Sequence, residues 1–506
     1  MLVCLAEDKC ATFPGALAYA SIPTTGDANN PLEASMRRTL LHGATILTMD
    51  PRLGDLRPGD LLIEDDRIAV VAPRIDASSA ERIDASNFII IPGLINTHMH
   101  TWQTGLRAVS SNWTLLEYFR WMHAGLATRF LPEDIRIGNL AGALNQINCG
   151  VTTLVDWCHN NPTPAHTDAA IGGLRESGIR AAFFHGSPKP DPKPGERHFS
   201  EIPHPRGEVE RLLRGPFASR DQLLTLGLAI LGPHYSTLEV SLHDFRLARE
   251  FGLIASMHQG GGRAKTPGGW DALEREGLVG DHINVVHGND LSDEQLARFV
   301  ENGVTFSVTA ECEMSMGHGH PITGRLRKLG AAPSLGIDLE SANSGELLIA
   351  ARIALAHQRS LDNGIARIET GSITQSSSIA VRESLEWITI EGARMLKMGD
   401  RIGSIAPGKQ ADLVLIRARD LNVWPVHDPI ATVVIQSSLA NIDSVMIAGE
   451  WRKRGGKLLF PALDGVKHEL LRSATRILAE LGWTPDLQIP AGNGAPREIF
   501  AAQGNE

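Results

Sequence analysis

Pro92-Gly93-Leu94-Ile95-Asn96-Thr97-His98-Met99-His100 is the stretch on which the reading of this chain turns. The run before it, Asn87-Phe-Ile-Ile-Ile-Pro92, is apolar and reads as a buried strand entered through a Pro-Gly turn. Successive side chains of a strand point to opposite faces, so His98 and His100 point the same way. Two imidazoles on one face of a strand end are placed to share one metal ion. A His-x-His pair alone is a weak signal, and the weight comes from what the rest of the chain adds.

At 506 residues the chain is long enough for a large core and more than one domain. A hydrophobic content of 42% and a charged content of 21% describe an ordinary soluble globular protein. The net charge of -10 argues against nucleic acid or an anionic membrane as the main partner. No apolar run reaches the length that spans a bilayer. Cys4, Cys10, Cys149, Cys158 and Cys312 show no paired spacing, so a reducing, cytoplasmic setting is expected rather than a disulfide framework.

Residues 1–37 differ in composition from the rest of the chain and lack the pattern of a secretory signal. They read as a disordered or non-native leader, with Met36 as the expected start. Residues 38–91 read as short strands and turns, among them Thr45–Met49, Asp60–Glu64 and Arg67–Val71. A second β-rich segment, residues 399–460, includes Ala411–Ile416, Thr432–Ile435 and Ser444–Ala448. The two pieces are expected to pair into one small discontinuous β-sandwich. Residues 461–506 read as an amphipathic helix, His468–Gly482, followed by a Pro- and Gly-rich tail that packs on a neighbouring subunit.

Between the β-rich pieces, residues 92–398 alternate strand and helix. Strand candidates after the opening one are Gly150–Asp156, Arg180–His185, Leu224–Leu231, Leu253–His258, Ile283–His287, Val304–Val308 and Pro333–Asp338. Stretches such as Leu115–Phe130, Leu238–Phe251 and Asp293–Glu301 read as helices. Eight such repeats predict a (β/α)8 TIM-type barrel, an α/β fold, rather than an open doubly wound sheet. His98 and His100 then end the first strand, His258 the fifth, His287 the sixth and Asp338 the eighth. All lie at the carboxyl end of the barrel, the face on which such folds build their sites.

At this point the chain resembles the amidohydrolase superfamily, in its cytosine deaminase-like branch that includes the triazine hydrolases. The resemblance runs over about 38–460. It rests on Pro92–His100 with Gln103 and Leu106-Arg107, on Gly150-Val-Thr-Thr-Leu-Val-Asp156, and on Ile402-Gly-Ser-Ile-Ala-Pro-Gly-Lys-Gln-Ala-Asp-Leu-Val-Leu-Ile416. It implies that His98, His100, His258 and Asp338 ligate one divalent ion, Zn(II) first and Fe(II) as the alternative, and that the enzyme forms a homo-oligomer. No lysine ends the fourth strand, so a mononuclear site is expected. It further implies that Asp338 takes a proton from the attacking water, while His287 orients the water and steadies the developing oxyanion.

One departure from the family stands out. Many deaminases of this branch place a glutamate three residues after the fifth-strand histidine, to protonate the ring nitrogen beside the attacked carbon. Here His258 is followed by Gln259-Gly260-Gly261, and glycine moves no proton. After the seventh strand, Ala310-Glu311-Cys312-Glu313-Met314 replaces the usual Cys-Pro-x-Ser-Asn. Glu313 is therefore the expected substitute acid, and Glu311 a substrate anchor. Trp102 and Gln103 are expected to stack on or hydrogen-bond a planar ring. His159, His185 and His234 read as supporting or loop histidines, and His318-Gly319-His320 as a rim or lid. The activity these features imply is hydrolysis of a non-peptide carbon–nitrogen bond in a small cyclic or heteroaromatic compound, by deamination, N-dealkylation or ring amide opening. A dehalogenating hydrolase or lyase on the same scaffold, or a binding protein without catalysis, are the competing readings.

Overall fold

Eight parallel strands line up in chain order in one sheet of the computed structural model, which describes residues 36–483. They are Leu94–Met99, Val151–Cys158, Arg180–Gly186, Leu224–Ala229, Ala255–Gln259, Ile283–His287, Thr305–Val308 and Ser334–Leu335. Every residue of the first three is buried, as expected when helices cover one face and the barrel interior the other. Closure comes from the first and last strands: a parallel bridge joins Met99 to Asp338, and Asp338 N donates to His98 O at 3.0 Å. The expected (β/α)8 barrel is therefore present, as is the mixed sheet built from N- and C-terminal strands.

The last strand is the shortest, two residues, because the chain leaves it to reach Asp338. Gly336 makes that path possible. A Cβ there would stand 2.6 Å from His98 O and 2.8 Å from His98 Cβ, so only glycine lets this backbone lie against the first strand.

The second sheet takes strands from both ends of the chain. Leu413–Arg417 pairs antiparallel with Phe88–Pro92, and Arg38–Ile46 lies on the other side of the latter. Phe88–Pro92 runs through Gly93 into the first barrel strand, so the sheet fixes the entry of the strand carrying both histidines. Arg180 on the third barrel strand forms a two-pronged pair with Asp412, at 2.9 and 3.1 Å, both side chains buried. Removing one partner of such a buried pair costs about 3–5 kcal/mol, because a lone charge stays behind.

Two expectations are corrected. Thr432–Ile435 is a helical turn, Thr432–Gln436, not a strand: the Asp428 side chain caps its N-terminal end and Pro429 opens it. Leu115–Phe130 is not one helix. It breaks into Leu115–Tyr118, a wider turn Phe119–His123, and Leu126–Arg129, with the kink at Gly125, where a Cβ would meet Trp121 O at 2.4 Å. The C-terminal helix, Leu463–Leu481, packs on this chain's own helix Pro132–Asn148, through Ser473 and Arg476 on Asp134. Most of the expected leader and the end of the tail lie outside the described residues.

Candidate active site

His98, His100, His258 and Asp338 converge, their candidate ligand atoms all within 4.8 Å of one another, and all four are buried. Asp338 Oδ1 stands 3.2 Å from His98 Nε2 and 3.4 Å from His100 Nε2, and His98 Nε2 is 3.2 Å from His258 Nε2. His100 is fixed in ring orientation and tautomer because its Nδ1 donates to Trp157 O at 2.8 Å, leaving Nε2 for the cluster. Burial, reinforced by His98, pushes His100 down to about 3 and holds His258 well below the usual range. Neutral imidazoles beside a carboxylate are the donor set of a divalent metal, so these residues fit such an ion.

Backbone strain marks the same place. His287 and Asp338 both sit at a φ of 68°, in the left-handed region that such residues rarely adopt. At Asp338 the cause is on both sides: its N donates to His98 O, and its O accepts from His100 N at 2.7 Å. The turn aims Oδ1 at the histidine cluster and leaves Oδ2 toward His287 Nε2, 4.0 Å away. Burial alone would raise Asp338; the hydrogen bond from His98 and the neighbouring imidazoles hold it well below the usual carboxylate range.

His287 has its other nitrogen occupied. Nδ1 lies 3.1 Å from Thr309 Oγ1 and 3.3 Å from Glu313 Oε1. Glu313 is fully buried and accepts from Thr309 N at 2.8 Å and Asn289 Nδ2 at 3.3 Å. Burial pushes its carboxyl up to about 7, and pushes His287 down to about 4. Glu313 thus stands behind His287 and is absent from the cavity wall.

Above the cluster lies a small cavity. Its wall includes Tyr118, Phe119 and His123 from the broken helix, His159 after the second strand, Lys189 after the third, and Tyr235 after the fourth. Trp102, Gln103 and Glu311 are absent from that wall. Trp102 is packed on Phe130 and donates to His159 Nδ1 at 3.4 Å; Gln103 donates to Tyr118 Oη at 2.5 Å. Both therefore hold residues that do face the cavity. His318 lines it, its ring tilted against that of His287 with centroids 4.3 Å apart, whereas His320 pairs with His357 at the surface. His185 and His234 stand outside the wall.

Gly261 explains itself in the fold. Its φ is 92°, and a Cβ there would stand 2.2 Å from Leu115 Cδ2. Leu115 thus fills the place a glutamate side chain would need. Tyr235 Oη, 3.6 Å from that same point, donates to Gly260 O at 2.7 Å. Sequence reading missed Lys189, because Ser187-Pro-Lys-Pro-Asp-Pro-Lys-Pro-Gly195 has the composition of an exposed loop.

Fold and site define a barrel hydrolase with a three-histidine, one-aspartate metal centre. The chain belongs to the amidohydrolase family, whose model matches residues 89–452, and hydrolyses carbon–nitrogen bonds other than peptide bonds. It is 28% identical over 433 residues to an 8-oxoguanine deaminase of Pseudomonas aeruginosa, covering 78% of this chain and 89% of that one. It is 26% identical over 430 residues to a 5-methylthioadenosine/S-adenosylhomocysteine deaminase of Symbiobacterium thermophilum, covering 82% and 93%. Among solved structures, a variant of the atrazine chlorohydrolase TrzN from Arthrobacter aurescens, complexed with zinc and atraton, superposes with a TM-score of 0.76. That match has 21% identity and covers 86% of this chain and all of the other. An adenosine deaminase from Xanthomonas campestris with bound zinc superposes at 0.71, with 20% identity over 87% and 98% of the two chains. Among the described residues no helix is long and apolar enough to cross a membrane.

Proposed function

We propose that this protein is a zinc-dependent deaminase of a small heteroaromatic compound, with Fe(II) the other ion its ligands accept. The observation that carries the reading is the convergence of His98, His100, His258 and Asp338 beneath a cavity walled by aromatic and histidine side chains. The aromatic and histidine wall suits a flat, polar-edged ligand. The two deaminase relatives support amine release from a purine-like ring. On this reading the barrel, 92–398, carries the chemistry, and the sheet from 38–91 and 399–460 supports it.

When bound, the ion lowers the pKa of a water toward neutrality and polarises the carbon under attack. Asp338 Oδ2 accepts the water's proton. His287 Nε2 faces the same point and orients the water through its lone pair. Glu313 behind Nδ1 favours the charged ring once a proton arrives, and that ring steadies the developing oxyanion. Gln103, through Tyr118, and Trp102, through His159, hold the cavity wall in place.

The test couples metal content with amine release. Purified protein should carry close to one divalent ion per chain and liberate ammonia from aminated heterocycles. His98→Ala and His258→Ala should lose both. Full metal occupancy in both variants would overturn the site; chloride release with no ammonia would favour a dehalogenating hydrolase.

A further inference from the structure

Lys189 is the one lysine in the cavity wall. It is 6% exposed and makes no hydrogen bond or ion pair with any described residue. Three aromatic rings surround its ammonium: Tyr235 at 5.1 Å, Trp157 at 5.5 Å and Phe119 at 5.8 Å. Aromatic faces stabilise a cation but accept no strong hydrogen bond from it. A buried ammonium without an acceptor is costly, so its persistence in the wall calls for a partner. Pro188 and Pro190 flank it and restrict the backbone on both sides.

The charge balance of the cavity narrows what that partner is. Asp338 is the carboxylate whose charge reaches Lys189, and it is committed to the histidine cluster. Burial lowers Lys189 to about 8, which leaves it mainly cationic at neutral pH. A divalent ion in the cluster would add positive charge. Apart from Asp338, the wall holds no carboxylate.

We infer that Lys189 is a substrate-recognition residue, selecting heterocycles that carry an oxo group or bind as ring anions, through a charge-assisted hydrogen bond to that oxygen. The inference rests on the reading of the site as a deaminase of heteroaromatic rings and deepens it by naming the substrate class. It also fits the absence of an acid at position 261. A ring already polarised at its oxygen by an ammonium depends less on protonation at nitrogen.

The test uses the metal-loaded enzyme and two probes of one ring size, barbiturate (an anion at neutral pH) and 2-aminopyrimidine (neutral). Affinities are measured by calorimetry for wild type, Lys189→Met and Lys189→Gln, with metal content and Tm as checks. Wild type should prefer barbiturate, and both variants should bind it about 10- to 100-fold more weakly, the range for a hydrogen bond to a charged group. Their affinity for 2-aminopyrimidine should hold. Unchanged barbiturate affinity in either folded variant would overturn the inference, and would mean that the metal holds the anion. Should both variants fail to fold, equal affinity of wild type for the two probes would overturn it as well. Metal binding with ammonia release but no anion preference defeats this inference alone. Loss of barbiturate in the variants of a protein that takes up no metal defeats the deaminase reading and leaves Lys189 as an anion site.

Discussion

Glu313 Oε1 stands 3.3 Å from His287 Nδ1, on the side of the ring away from the cavity. A carboxylate in that position fixes the tautomer and the aim of the imidazole without touching substrate. Glu313→Gln should therefore lower kcat by about 10- to 100-fold, the scale for losing a partner that orients a site histidine. KM and metal content should hold. A loss confined to KM would instead put Glu313 on the substrate.

Asp338 divides its two oxygens between two tasks. Oδ1 faces His98 and His100, and Oδ2 faces His287 and, at 3.5 Å, Thr309 Oγ1. Asp338→Asn keeps one oxygen for the cluster and removes the base. Metal should largely stay while kcat falls by at least about a hundredfold. Parallel loss of metal and turnover would make Asp338 chiefly a ligand.

The barrel and its metal-site residues are legible in the sequence because their signals are local and periodic. Strand-length apolar runs end in His98, His100, His258, His287 and Asp338, and the carboxyl ends of parallel strands share one face. The cavity wall is not legible in the same way. Lys189 sits in a Pro-rich run that composition assigns to solvent, and it is buried only because Phe119, Trp157 and Tyr235 come from three other segments. Trp102 and Gln103 look like substrate contacts from their nearness to the histidine pair. The turn Thr101–Leu106 carries them away from the cavity, one row behind. Glu313 follows the seventh strand as expected, on the helix Ala310–Met316, but nothing in one sequence tells a residue facing substrate from one facing His287.

Gly261 offers a test of how far this cavity has departed from a glutamate-bearing one. Gly261→Glu puts a side chain at a φ of 92° and against Leu115 Cδ2. The backbone strain alone costs about 1–3 kcal/mol. The variant should melt lower than wild type, and Gly261→Glu with Leu115→Ala should melt above the single variant. An unchanged Tm for Gly261→Glu would show that the loop relaxes freely and that Leu115 does not exclude the acid.

A pair of histidines beneath the third barrel strand ties stability to pH. His185 Nδ1 and His204 Nε2 stand 3.0 Å apart, both buried. Burial lowers His185 to about 4 and, with the charge of His185, lowers His204 to about 3, from 6.5. Above 6.5 neither state of the protein binds these protons, and their contribution is whole. As pH falls below 6.5 the unfolded chain takes up protons that the folded chain refuses, and stability drains away down to the folded values. By pH 5 the loss is on the order of 2 kcal/mol per histidine. Tm should therefore drop between pH 7.5 and pH 5, and the drop should shrink in His185→Gln and His204→Gln. Other buried histidines, His123 and His159 among them, are held low by burial and act in the same direction, so part of the slope remains in both variants. A Tm that rises on acidification, or a slope identical in both variants, would place the protons elsewhere.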